Sequence, residues 1–151
     1  MRFIIAALLT IVCLSCADKS SQDFKVPDLK GLKPLEIKSR MGEPDTSYNR
    51  NIIGKQLFVM RYFDLRDAEF RFERNTNILG EILINKPFDL KFEPAVISNY
   101  GLSALEPSDA DTASHFRWKN IDGLKNVNVY KVGMERPEGV ETYFKIYFDL
   151  K

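Results

Sequence analysis

The chain has 151 residues, with 22 Lys and Arg against 21 Asp and Glu, a formal net charge of +1 and 44% hydrophobic residues. That length holds one domain, or two very small ones, with a real core, and the composition excludes wholesale disorder. The near-neutral balance argues against nucleic-acid binding, which needs a basic face, and a single histidine, His115, thins out acid–base and metal chemistry.

Arg2 precedes a twelve-residue apolar run, Phe3–Leu14. The run is too short to span a bilayer as a helix and fits the hydrophobic region of a secretory signal peptide. It ends in Cys13-Leu14-Ser15-Cys16, and polar Ala17-Asp18-Lys19-Ser20 follows. A small residue directly before a cysteine at this place resembles the lipobox of bacterial lipoproteins, with Cys13 standing where that family prefers an aliphatic residue. The resemblance implies residues 1–15 as a cleaved signal peptide and a diacylglycerol on Cys16 that anchors the chain in the bacterial cell envelope. The periplasmic side of the outer membrane is the expected address, since no di-acidic run follows the cysteine. An ordinary signal cleaved after Ala17 is the alternative. Cleavage before Cys16 leaves 21 cations against 21 acids and a lone cysteine, so no intramolecular disulfide is available. No polybasic patch supplements the anchor, which rests on its acyl chains.

Residues 16–33 read as the acylated cysteine and a polar tether, with Phe24, Val26, Leu29 and Leu32 able to dock its later part on the domain. Pro34 opens a short helix over 35–41 that Gly42 closes, and Pro94 opens a similar stretch over 95–100 that Gly101 closes. Ile37 with Met41, and Val96 with Tyr100, form apolar stripes. Three strand signals follow each helix: 56–63, 68–74 and 78–84 in one half, 115–121, 127–132 and 141–150 in the other. Phe70 and Phe72 alternate with charges, and Phe144, Ile146, Phe148 and Leu150 with Lys145, Tyr147 and Asp149, which is the period of half-buried strands. The sequence therefore predicts an α+β domain over 34–151. Tandem helix-plus-three-strand units, 34–84 and 92–151, would form an antiparallel sheet packed by two short helices.

The turn Met41-Gly42-Glu43-Pro44, Tyr62 in an aromatic strand, and Gly80-Glu81-Ile82 together resemble the BamE/SmpA-type outer-membrane lipoproteins over about residues 32–84. A doubled helix-plus-sheet unit is similar to the β-lactamase inhibitor protein. Both resemblances imply a non-enzymatic binding protein without a cofactor.

Catalytic patterns are weak. If Ser114 and His115 share a strand, their side chains point to opposite faces. A zinc or copper site lacks His and Cys ligands. Asp109-Ala110-Asp111 has the spacing that begins a calcium loop but lacks the remaining ligands, so a solvated acidic loop is the default over 106–111. Tyr143 and Tyr147 share one strand face, which reads either as a wet recognition face or, preferentially, as the helix-covered side of the sheet. Trp118 reads as core. Two thirteen-residue connections, 43–55 and 102–114, are long for such links and are candidate binding loops. The candidate residues on them are Tyr48 and Arg50 on one, Asp109 and Asp111 on the other. The functional expectation is a lipid-anchored, non-catalytic binding or scaffold module with an envelope protein partner. An inhibitor of a secreted or periplasmic enzyme is the alternative, and a carboxylate-dependent hydrolase the third reading.

Overall fold

A computed structural model describes residues 24–136 and 139–151, with the side chains of all of these except 134–136 and 139–141. The signal-peptide and Cys16 expectations lie outside the described residues. The first described segment is already part of the domain. A 3₁₀ turn, Val26–Leu29, buries Val26 and Leu29, and Phe24 before it packs 5.3 Å from the Phe70 ring. Phe24, Val26 and Leu29 thus dock on the core, with Leu32 partly buried against it, while Lys25, Asp28, Lys30, Gly31 and Lys33 between them stay exposed.

Helix α1 (Pro34–Met41) begins where Pro supplies a fixed φ and needs no N–H partner. The Glu36 carboxylate accepts the Lys33 N–H at 2.8 Å, and Gly42, at φ +87°, ends the helix by returning its N–H to the Lys38 carbonyl. Ile37 is the helix residue that is fully buried.

The rest is a single antiparallel sheet of eight strands. They are β1 (Thr46–Ile52), β2 (Lys55–Tyr62), β3 (Ala68–Glu73), β4 (Leu79–Ile84), β5 (Asp109–Asp111), β6 (His115–Ile121), β7 (Leu124–Arg136) and β8 (Gly139–Asp149). The spatial order is β1-β2-β3-β4-β8-β7-β6-β5, so β4 and β8 form the central seam and β1 and β5 the two edges.

This corrects the expected fold class. The chain does not form helix-plus-three-strand units packed by two helices; the architecture is dominated by the sheet. The first reason is that both thirteen-residue connections carry strands, β1 and β5. The second is that Pro94–Tyr100 is a 3₁₀ helix. There Ser98 Oγ donates to the Ala95 carbonyl at 2.7 Å and Asn99 Nδ2 to the Val96 carbonyl at 3.0 Å, which competes with α-helical bonding.

The helical segments lie on one face only. That face carries Met60, Phe70, Ile82, Ile146, Val129 and Phe116 from six adjacent strands, all buried. Tyr100 packs with its ring 5.3 Å from that of Phe148 and tilted by 60°, and Trp118 is buried with its Nε1 donating to the Leu105 carbonyl at 2.8 Å. Each such apolar side chain contributes about 1.5–3 kcal/mol by leaving water. The 85–93 connection wraps round the end of the central strands. Phe88 is 6.3 Å from Tyr143 on one face, and Phe92 is 5.6 Å from Phe144 on the other.

Candidate functional site: the open face of the sheet

The opposite face is not covered by any helix among the described residues. Strand alternation places there the polar residues of β3 and β6–β8, together with Leu57, Val59 and Leu83, which are buried on this side and outside the helix-covered core. The cross-strand register lines up Arg61, Glu69, Leu83, Tyr147, Asn128, Arg117 and Asp109 in one row across seven strands. Tyr143 and Tyr147 lie on this open side, which corrects the preference for the helix-covered side. The helices pack instead on the Phe144, Ile146 and Phe148 side.

The two halves of the face differ electrostatically. On β2–β4 the charges are internally paired. Arg71 Nη2 is 2.7 Å from Glu69 Oε2 and its Nη1 is 3.5 Å from Glu81 Oε2. Arg61 holds Asp67 through two bonds, which raises the guanidinium pKa, with the side-chain bond to Asp67 the largest cause. On β6–β8 the cations Arg117, Lys119 and Lys145 have no carboxylate partner among the described residues. Arg117 Nε donates instead to Asn128 Oδ1 at 2.9 Å, and Lys145 Nζ lies 5.9 Å from the Tyr143 ring.

His115, Arg117, Asn128, Tyr130 and Tyr147 line a shallow groove of about 420 Å³ on that half. Burial raises the pKa of both tyrosines; for Tyr147 the Glu81 and Asp149 carboxylates add to the effect. Both phenols are protonated at neutral pH; the Tyr147 hydroxyl is engaged by the Glu81 carboxylate, which leaves Tyr130 as the phenol donor toward the groove. The groove offers hydrogen-bond donors and aromatic area, which suits an anionic or acceptor-rich group on a partner.

The four residues singled out in sequence all face this open side, but the sheet separates them. Tyr48 and Arg50 stand opposite Val59 and Leu57 on edge strand β1. Asp109 and Asp111 stand opposite Arg117 and His115 on edge strand β5. Seven interstrand steps of about 4.8 Å, roughly 34 Å along the sheet, separate the pairs on its opposite edges, so they do not form one site. Asp111 is committed within its own turn. Its oxygens accept the Ala113 N–H at 3.0 Å and the Ser114 hydroxyl at 2.6 Å, which, with the Ser114 bond foremost, lower its pKa.

Ser114 also corrects an expectation. It sits in the turn before β6 rather than in a strand, so its Oγ comes within 3.3 Å of His115 Nδ1. Its proton already goes to Asp111, which leaves the oxygen an acceptor toward the ring. His115 Nε2 in turn lies 3.5 Å from Asp109 Oδ2. Among the described residues no three His, Cys, Asp or Glu side chains converge as metal ligands.

Sequence reasoning missed Arg117, Asn128 and Tyr130 as site residues. Their signal was the polar parity of β6 and β7, which alternates with Phe116, Trp118, Val127 and Val129. That this parity shares a face with Tyr147 follows only from the strand order. Comparison of the chain with protein-family models, with curated proteins and with solved structures finds no match.

Proposed function

We propose that this chain is a lipid-anchored bacterial envelope protein whose domain is a non-catalytic binding module, held to the membrane through Cys16. The observation that carries the binding reading is the open sheet face, where Arg117 and Lys145, with no carboxylate partner among the described residues, flank the tyrosines of β7 and β8. The anchor rests on the apolar run ending at Cys16, and no helix among the described residues is long and apolar enough to cross a membrane. Phe24, the first described residue, is packed in the domain, and eight residue steps separate it from Cys16. Fully extended, they span at most about 28 Å, which would keep the sheet near the bilayer surface.

Two experiments test the two halves of this reading. Cys16→Ala is expected to abolish incorporation of labelled fatty acid and to block signal removal; normal processing of that variant overturns the anchor. A photo-crosslinking residue at Asn128, in the full chain in its own envelope, is expected to capture a discrete species that the same probe at exposed Ser39 on α1 does not. Identical capture at both positions overturns the open face as the docking surface.

One observation favours the inhibitor alternative. From Val132 opposite Tyr143 to Arg136 opposite Gly139, β7 and β8 pair with each other alone, beyond the reach of β4 and β6. This finger projects about 17 Å at 3.4 Å per residue. An enzyme cleft filled by it would be captured by a probe at Val132 and not at Asn128.

A further inference from the structure

We infer that the outer edge of β1 pairs with the same edge of a second copy of this chain, antiparallel about a twofold axis at Asn49, joining two sheets into one. The inference goes beyond the binding reading and does not depend on the membrane anchor.

The backbone directions come from the neighbouring strands. The Gln56 carbonyl accepts from the Arg74 N–H, so the even residues of β2 turn their backbone groups toward β3 and the odd ones toward β1. The odd residues of β2 stand opposite Thr46, Tyr48, Arg50 and Ile52. The N–H and C=O groups of Ser47, Asn49 and Asn51 therefore point away from the sheet, at an edge where no described strand pairs.

Natural sheets blunt such edges with short strands, charges, prolines or bulges. The edge at β5 is blunted: it has three residues, two of them Asp. The edge at β1 is not. It runs for seven residues, contains no proline, and carries one charge, Arg50. Its irregularity is confined to the entrance, where Asp45 joins Thr46 opposite Arg61.

The sequence of β1 is complementary to itself in one register. Centring on Asn49 pairs Ser47 with Asn51, Thr46 with Ile52, and Tyr48 with Arg50 of the second copy, using the whole strand. Tyr48 and Arg50 then form a close non-hydrogen-bonded pair with Cα atoms about 4.5 Å apart. That spacing brings a guanidinium to a tyrosine face, and it occurs twice by symmetry. A twofold axis at Arg50 sets like charges against each other, and one at Tyr48 leaves Asn51 and Ile52 unpaired. A foreign strand has no reason to meet this self-complementarity, which is the mark of an isologous contact. Tyr48 and Arg50 both lie on the open side, so the two recognition faces would become continuous.

The test uses Asn49, whose N–H points away from β2 and has no partner among the described residues. Asn49→Pro removes an outward donor while leaving the β1–β2 ladder intact. Sedimentation of the purified full chain in detergent should give a dimer, and Asn49→Pro a monomer with an unchanged melting temperature. In parallel, Asn49→Cys under mild oxidation should give a disulfide joining position 49 to position 49. Cα atoms of a hydrogen-bonded pair sit about 5.5 Å apart, within disulfide range. Peptide mapping separates this link from any through Cys13 or Cys16, and the crosslink stands even if the proline variant fails to fold. A monomeric chain at all concentrations overturns the inference, as does a dimer without the 49–49 link. A ladder of higher polymers abolished by Asp109→Asn and Asp111→Asn also overturns it, showing β1 seated on β5 of the next copy.

Discussion

Arg71 and Glu69 stand two residues apart on β3, side by side on the open face, with Nη2 and Oε2 2.7 Å apart. Both are more than nine-tenths buried although no helix covers them. Asn85 Nδ2 reaches the second Glu69 oxygen at 3.4 Å, and Glu81 faces Arg71 from β4. The desolvation of each charge is thus offset by several fixed partners. Removing one partner leaves the other buried alone, which costs about 3–5 kcal/mol. Arg71→Ala is therefore expected to lower unfolding free energy by that amount in urea. The double variant Glu69→Gln with Arg71→Met should cost clearly less than the sum of its single changes. Additive single changes would show that the pair is solvated and weak.

The β1–β2 turn holds a residue ill suited to it. Ile53 has φ +48° and is 99% exposed, followed by Gly54 at φ +78°. A two-residue hairpin of this hand favours Asn at the first position, whereas a β-branched residue is strained there. Replacing Ile53 with Asn should raise stability by about 1 kcal/mol without altering the register from Ile52–Lys55 onward. A lower or unchanged denaturation midpoint would contradict the assigned turn.

What the sequence disclosed follows from this same contrast between strands. Wherever a strand has one face in the core, as with Phe70 and Phe72 or with Phe144, Ile146 and Phe148, the period of two is written in the residues. An edge strand such as β1, solvated on most of its length, carries no alternation, and Ile53-Gly54 lacks the Asn-Gly signature of its turn. Sequence pattern alone therefore makes loops of both edge strands and predicts a sheet of six strands. The site suffered for a different reason. Polar parity marks which residues share a face of one strand, but the row from Arg61 to Asp109 depends on β4 pairing with β8. That pairing is non-local and leaves no local pattern.

Gly101 connects the first described residues to the 3₁₀ helix over 94–100. At φ +77° it closes that helix, and a Cβ there would lie 2.9 Å from Lys25 Cγ and 3.0 Å from Lys25 Cβ. Gly31 has a similar φ of +80° but opens onto free space. Alanine at either position incurs the left-handed backbone cost of about 1–2 kcal/mol. At Gly101 the displaced Lys25 should add about 1 kcal/mol or more. Gly101→Ala should also speed trypsin cleavage after Lys25, because the segment that buries Phe24 and Val26 is pushed off. Equal effects of the two alanines on stability and on cleavage would mean that the 24–29 segment is not held by this contact.

Tyr62 makes the fold sensitive to alkali. Its hydroxyl donates to the Gly42 carbonyl at 3.0 Å, tying β2 to the end of α1, and its ring meets Phe70 edge-on at 5.4 Å. Burial, with Glu43, Asp64 and Asp45 adding to it, pushes the phenol from 10.0 to about 12. The folded chain thus keeps this proton between those values while the unfolded chain releases it. Since the unfolded state then binds fewer protons, stability falls as pH rises. The contribution is fully present below pH 10 and lost by about 12. Tyr62→Phe gives up the hydrogen bond, about 1 kcal/mol at neutral pH, but carries no such proton. Tyr130 and Tyr147, also raised, remain in both proteins. Urea unfolding from pH 9 to 12 should therefore show the native chain losing stability more steeply than Tyr62→Phe, with the two curves converging toward pH 12. Curves that run parallel across that range would place the Tyr62 hydroxyl in water and detach β2 from the helix end.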